Sequence, residues 1–220
     1  MNSAWRRPYK AYLFDLDGTL IDTAPDLNVA LNQSLMQAGL APVNETLTRH
    51  WIGHGARVMI QQALDHQGVQ QDTQPLFDAF LEYYAEHSAE LSSPYPTVID
   101  TLDKLVDAGA SLGVVTNKLV GLSERLLTEI GMRDYFNVVI GGDSTETPKP
   151  HPAPVLTALQ ALAIGPSDTL FVGDSQTDIA AAQAANLPVV CMRDGYNHGE
   201  DVTTLNADAV IDTFAELLSE

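Results

Sequence analysis

The chain has 220 residues, 45% hydrophobic and 18% charged, with a net charge of −18 from 29 acidic and 11 basic residues. That length suits one or two domains with a sizeable core, and so acidic a surface is repelled by phosphate backbones, which argues against a nucleic-acid binder. The single cysteine, Cys191, excludes a disulfide framework, the apolar runs fall far short of the roughly 18 residues of a membrane span, and residues 1–10 hold no leader-like apolar stretch, so the expected address is the cytoplasm, away from membranes.

The first predicted element is Ala11–Phe14, a continuous apolar run typical of a strand buried on both faces. It runs into Asp15-Leu16-Asp17-Gly18-Thr19, where two carboxylates are followed by a glycine that permits a tight turn. From Thr23 to Ser93 no strand is predicted. Three apolar stripes at helical spacing stand there: Leu27, Leu31, Leu35 and Ala38; Ala56, Ile60, Ala63 and Leu64; Leu76, Phe77, Phe80, Leu81 and Tyr84. Thr23 and Thr73 are the predicted N-caps, with Pro25 and Pro75 in the first turns. Ser92-Ser93-Pro94-Tyr95-Pro96 punctuates the end.

Leu102, Leu105 and Val106 predict a helix before the second strand, Leu112–Val115, which ends in Thr116-Asn117. Leu119, Leu122, Leu126 and Ile130 form the next stripe, stopped by Gly131. The third strand is Val138–Ile140, followed by Thr147-Pro148-Lys149-Pro150-His151-Pro152, which holds one of only four lysines between prolines. Val155, Leu159 and Leu162 precede a fourth strand, Leu170–Val172, which runs into Gly173-Asp174-Ser175-Gln176-Thr177-Asp178. An alanine-rich helix, Ile179–Ala185, then strands Pro188–Met192 and Ala209–Ile211, complete the pattern. Alternating β and α elements predict an α/β fold with a doubly wound parallel sheet. The core comprises residues 1–22 and 94–220, and a helical segment, 23–93, is inserted after the first strand. An insertion at a strand's C-terminal end lies over the place where open sheets bind ligands and is a candidate lid.

The chemistry gathers at that sheet edge. Two like charges 4 Å apart cost about 4 kcal/mol at an effective dielectric near 20, so several aspartates together need raised pKa values or a cation. An all-oxygen ligand set favours magnesium over zinc or copper. Thr116 and Asn117 offer a hydroxyl and amides at a helix start, a ready anion site, and Lys149 is a rigidly held cation. Each motif alone has a plainer reading: a helix-start carboxylate for Asp178, a simple N-cap for Thr116 or Asn117, an exposed turn for Lys149.

In this order, Asp15-x-Asp17-Gly18-Thr19, Thr116-Asn117, Lys149-Pro150 and Gly173-Asp174-Ser175-x-x-Asp178 resemble the four motifs of the haloacid dehalogenase superfamily, and the insertion resembles that family's helical cap of the first type. The resemblance covers essentially the whole chain and implies a magnesium-dependent phosphatase acting on a small phosphorylated metabolite. It implies Asp15 as the nucleophile that forms an aspartyl-phosphate and Asp17 as the general acid and base. It implies magnesium held by the Asp15 carboxylate, the Asp17 carbonyl and the Asp174 carboxylate, with Asp178 in support. Thr116, Asn117 and Lys149 would hold the phosphoryl oxygens. True dehalogenases lack the second aspartate of the first motif, so Asp17 points away from them.

Within the superfamily, the stretch Phe14 to Pro25, the segment Trp51-Ile52-Gly53-His54-Gly55-Ala56 and the segment Asp194-Gly195-Tyr196-Asn197-His198-Gly199-Glu200 resemble the bacterial phosphoglycolate phosphatases. That implies 2-phosphoglycolate as substrate. Gly53 and Gly55 would let backbone N–H groups approach its carboxylate, with His54 and Arg57 as candidate helpers. A helix-breaking turn and a surface histidine are the competing readings there. His50, His66 and His87 read as solvated, Cys191 as core, and Trp51 with the Phe77–Tyr84 stripe as core of the insertion. A phosphatase or mutase acting on another small phosphosugar is the alternative. A non-enzymatic phosphorylated receiver is a third reading, which the insertion and Asp17 disfavour. A monomer with a moving cap is expected, with a dimer as the alternative.

Overall fold

A computed structural model describes residues 5–218; residues 1–4 and 219–220, at the ends of the predicted core segments, lie outside the described residues. In chain order the first elements are β1 (Ala11–Phe14), β2 (Ile21–Asp22), α1 (Ala24–Gln37), α2 (Glu45–Trp51), α3 (Ala56–His66), α4 (Gln74–Glu86) and β3 (Ser93–Pro94). Then come α5 (Val98–Asp107), β4 (Ser111–Val115), α6 (Val120–Glu129), β5 (Val138–Ile140), α7 (Ala153–Leu162), β6 (Thr169–Gly173), α8 (Gln176–Ala184), β7 (Val189–Met192) and β8 (Ala209–Ile211).

Six strands form one parallel sheet in the order β5-β4-β1-β6-β7-β8, so the first strand of the chain is central. Both neighbours of β1 are in register at its last residue, with Phe14 opposite Val114 of β4 and Val172 of β6. Alternate side chains of the strands go to opposite faces. Tyr12, Phe14, Leu112, Val114 and Val172 pack with Leu102, Leu105 and Leu126 from α5 and α6. Leu13, Val115, Phe171 and Val189 pack with Val155, Leu159, Ile179 and Ala182 from α7 and α8. Both faces are therefore covered, which is why the strands read as unbroken apolar runs. Each fully buried Leu, Val or Phe contributes roughly 1.5–3 kcal/mol. Cys191 belongs to the second face, and burial pushes its thiol pKa up.

Between β1 and β4 the chain leaves the sheet. β2 and β3 pair as a two-residue antiparallel ribbon, Ile21 opposite Pro94 and Asp22 opposite Ser93. Ser93 thus lies in a strand, where the sequence reading placed none. The helices α1 to α4 share a separate apolar cluster built on Leu27, Leu31, Trp51, Ile60, Phe77 and Phe80. The helix α2 was not predicted. Its start is capped by the Asn44 side chain, which accepts the Leu47 N–H at 2.9 Å.

Three expectations are corrected. Thr23 and Thr73 precede helices, but neither side chain makes a cap hydrogen bond. The Thr23 hydroxyl donates to Asp17 instead, and Asp72 accepts the Gln74 N–H near the start of α4. Val106 is exposed, because α5 turns Leu102 and Leu105 to the sheet and leaves Val106 on its outer side. His87 is half-buried rather than solvated, its ring stacked on Tyr83 at 4.1 Å. Among the described residues no helix is long and apolar enough to cross a membrane.

Candidate active site

β1 delivers Asp15 to the sheet edge. It follows Phe14 directly, and its N–H donates to the Val172 carbonyl of β6 at 2.9 Å. Asp174 is the first residue beyond β6, and Thr116 the first beyond β4. All three are buried. The turn after β1 closes at Gly18 with φ +87°, a conformation glycine adopts without strain. A Cβ there would lie 2.4 Å from Asp174 Oδ2, so the turn can approach that carboxylate only through glycine.

Asp178 sits in the first turn of α8 and forms a capping box with Ser175. Its Oδ2 accepts the Asp174 N–H at 3.2 Å, the Ser175 N–H at 3.1 Å and the Ser175 hydroxyl at 2.8 Å. Its Oδ1 accepts from Lys149 Nζ at 2.7 Å. The same Nζ lies 2.8 Å from Asp15 Oδ1 as an ion pair. Asp174 accepts from the Thr19 hydroxyl at 3.0 Å and from the Tyr196 N–H at 2.5 Å.

Carboxylate oxygens of Asp15, Asp174 and Asp178 all lie within 4.8 Å of one another. Three buried acids face one ammonium, and their pKa values divide accordingly. Burial pushes Asp15 up to about 7, the Asp178 and Asp17 charges add to the rise, and Lys149 opposes it. Asp174 is raised well above the usual carboxylate range, by burial and by Asp178 and Asp15. Burial also acts to raise Asp178, but Lys149, Ser175 and the Asp174 N–H outweigh it and hold Asp178 below its ordinary value. A hard divalent cation fits this donor set, which is all oxygen and short of positive charge. The Asp17 carbonyl accepts no hydrogen bond among the described residues.

The Asp17 carboxylate is turned away from that cluster. Its Oδ1 accepts from the Thr23 hydroxyl at 2.7 Å and from Lys118 Nζ at 2.8 Å. Lys118 is the residue the sequence reading missed. Its side chain is 6% exposed, and its ammonium lies 4.6 Å from the centre of the Tyr84 ring on α4. The available signal was its scarcity: one of four lysines, directly after Thr116-Asn117, in a strongly acidic chain.

Thr116 and Asn117 lie where the sequence placed them, but the Asn117 side chain is already engaged. It donates to the Gly53 carbonyl at 2.9 Å and to the Lys149 carbonyl at 3.0 Å. Its backbone N–H, without a partner among the described residues, is the group left to meet an anion. Gly53 and Gly55 have φ of +120° and +88°. The Gly53 peptide therefore turns its carbonyl, an acceptor, toward the core. The His54 ring stacks on His198 at 4.8 Å, and partial burial there together with the His198 charge lowers its pKa. The exposed Arg57 lays its guanidinium 3.8 Å from the centre of the Phe77 ring.

Several of these groups, but not Asp174, Asp178 or Lys149, border one cavity of about 210 Å³ between the sheet edge and the helical insertion. Asp15, Asp17, Thr116, Asn117 and Lys118 line its floor. Ile52, Met59, Phe77, Phe80, Tyr84 and Leu122 are among the residues that make its walls mostly apolar.

The geometry has parallels among known proteins. Over 211 residues the chain is 43% identical to a phosphoglycolate phosphatase of Yersinia pseudotuberculosis, covering 93% of this chain and 90% of that one. It is 40% identical over 209 residues to a phosphoglycolate phosphatase of Nitrosococcus oceani, covering 93% of both. A crystal structure from Haemophilus somnus, described as a predicted phosphoglycolate phosphatase, superposes with a TM-score of 0.90 at 36% identity, over 95% of this chain and 96% of that one. CbbY from Rhodobacter sphaeroides, in complex with phosphate, superposes with a TM-score of 0.81 at 28% identity, over 95% of this chain and 96% of that one. Residues 12–192 match the family described as haloacid dehalogenase-like hydrolase, and the chain belongs to that family.

Proposed function

We propose that the chain is a magnesium-dependent phosphatase that hydrolyses 2-phosphoglycolate to glycolate and phosphate through an aspartyl-phosphate at Asp15. The observation that carries the reading is the buried cluster of Asp15, Asp174, Asp178 and Lys149 beneath a cavity. The relatives named phosphoglycolate phosphatase support the substrate.

In this reading a carboxylate oxygen of Asp15 attacks phosphorus, and the bond from phosphorus to the glycolate oxygen breaks. Asp17 gives its proton to the departing oxygen. Water then attacks the acyl phosphate on Asp15, its proton passes to Asp17, and phosphate leaves with the Asp15 carboxylate restored. The Asp15 carboxylate, the Asp17 carbonyl and the Asp174 carboxylate would hold magnesium, which neutralises charge on the phosphoryl group. The Thr116 hydroxyl, the Asn117 backbone N–H and the Lys149 ammonium bind the phosphoryl oxygens. Asp178 fixes Lys149 and the turn at Asp174. The insertion, residues 23–93, acts as a cap that shuts out bulk water.

The test is phosphate release with magnesium from 2-phosphoglycolate, hexose and pentose phosphates and nucleoside monophosphates. The reading expects 2-phosphoglycolate to lead in kcat/KM by about tenfold or more, or about 1.4 kcal/mol, and activity to vanish in excess chelator. A leading sugar phosphate overturns the substrate. Release from none of the esters overturns the phosphatase.

A further inference from the structure

One buried cation, Lys118, takes no part in the phosphoryl transfer. Lys118 enters the cavity floor from the loop between β4 and α6, with its side chain almost wholly buried. A buried ammonium costs several kcal/mol of desolvation unless it is paired, so Lys118 is held where it is by Asp17.

The dimensions of the substrate locate its second charge. In 2-phosphoglycolate a single methylene separates the ester oxygen from the carboxylate. Asp17 must reach that ester oxygen to protonate it. The carboxylate must then lie beside Asp17, within the reach of whatever touches Asp17. Lys118 Nζ is 2.8 Å from Asp17 Oδ1. The Tyr84 hydroxyl is a second free group at the same place. It belongs to a fully buried side chain, lines the cavity and has no hydrogen-bond partner among the described residues. A buried hydroxyl without a partner costs about 1–3 kcal/mol, and an incoming carboxylate would satisfy it. The other cation on the cavity, Arg57, is exposed and stacked on Phe77.

We propose that Lys118, with the Tyr84 hydroxyl, binds the carboxylate of the leaving group and is the specificity determinant of the site. The inference rests on the phosphoglycolate reading. In the free protein the ammonium is paired with Asp17. When substrate enters, it exchanges Asp17 for the substrate carboxylate, and Asp17, no longer paired with a cation, takes a proton from solvent and faces the ester oxygen. A substrate without the carboxylate leaves Lys118 on Asp17 and Tyr84 unsatisfied.

The experiment compares kcat/KM for 2-phosphoglycolate with ethyl phosphate, which lacks the charge, in the full-length enzyme with magnesium. The wild type should favour 2-phosphoglycolate by about 100-fold, the value of a charge-assisted hydrogen-bond pair. Lys118→Met should reduce that ratio to below about fivefold, with KM for 2-phosphoglycolate rising more than kcat falls. Lys118→Arg should restore part of the ratio, and Tyr84→Phe should lower it by about tenfold. Phosphoethanolamine, with an ammonium in place of the carboxylate, tests the wild type without any variant and should be poorer than ethyl phosphate. Equal losses on both esters in Lys118→Met, or loss of the ratio in Arg57→Met instead, overturn the assignment to Lys118. A wild type inactive on 2-phosphoglycolate overturns the substrate reading itself, and this proposal with it.

Discussion

The Lys149 ammonium lies 2.7 Å from Asp178 Oδ1, and both side chains are only 1% exposed. Such a pair recovers its desolvation cost only if every remaining group is satisfied. Here the remaining oxygen of Asp178 is held by three donors from the Asp174 turn. The pair thus fixes in one place the cation and the backbone that flank Asp15. Gly173 makes this possible, since a Cβ there would lie 2.3 Å from the Cβ of Asp178.

Replacing the cation should expose that dependence. Lys149→Met leaves Asp15, Asp174 and Asp178 without a buried positive charge, and it should destabilise the metal-free protein by about 3–5 kcal/mol. Magnesium should then raise the melting temperature of the variant by more than it raises that of the wild type. Thermal unfolding with and without magnesium checks both; equal magnesium shifts would argue against a shared cluster.

Asp15→Asn keeps the shape of the side chain and removes the proposed nucleophile. Turnover of 2-phosphoglycolate should fall by about 10⁴-fold or more, with an unchanged circular dichroism spectrum. Hydrolysis at the wild-type rate would move the nucleophile elsewhere.

The pKa of Asp15 sets a pH dependence with a definite sign. Its ordinary value is 3.8, and burial raises it to about 7 in the fold. Between those values the folded, metal-free protein holds a proton that the unfolded chain has lost. The contribution of Asp15 to stability is therefore complete below pH about 4 and is lost as pH rises through about 7. Asp174 acts in the same direction and Asp178 in the opposite one. Magnesium must displace the proton, so its affinity should weaken about tenfold per pH unit below 7. Titration calorimetry at pH 5.5, 6.5 and 7.5 measures this; an affinity independent of pH would mean that Asp15 is already ionised.

Asn117 ties the insertion to the core through its bonds to Gly53 and Lys149. Asn117→Ala removes both and strands two carbonyls. It should cost about 1–3 kcal/mol and lower the melting temperature by roughly 3–8 °C. A melting temperature within a degree of the wild type would show that water replaces the amide at no cost.

What the sequence revealed follows from the physics of each element. The central strands of the sheet are legible because both faces of each are buried, so no polar residue interrupts Ala11–Phe14 or Leu170–Val172. Asp15, Asp17, Lys149 and Asp174 are legible because they stand at strand ends and in a proline-bound turn. Lys118 is not, because what makes it distinctive is an ion pair with a residue about 100 positions earlier, and a lone lysine in a loop reads as solvated. The ribbon of β2 and β3 is too short for any period to show. The helix α2 carries too few apolar residues for a stripe, and only Asn44 at its start marks it. Thr23 misleads for a physical reason: its hydroxyl has a better partner in Asp17 than in the helix it precedes.

The ribbon between Ile21–Asp22 and Ser93–Pro94 has a consequence for the history of such chains. The outgoing and returning strands leave the sheet side by side. Everything between them hangs from one doorway, and lengthening the excursion adds closure entropy only slowly. The parallel sheet is indifferent to what hangs there. A different helical unit could be spliced into that doorway without moving Asp15, Lys118, Lys149 or Asp174, so Tyr84 and the apolar walls of the cavity can change while the groups at the sheet edge stay.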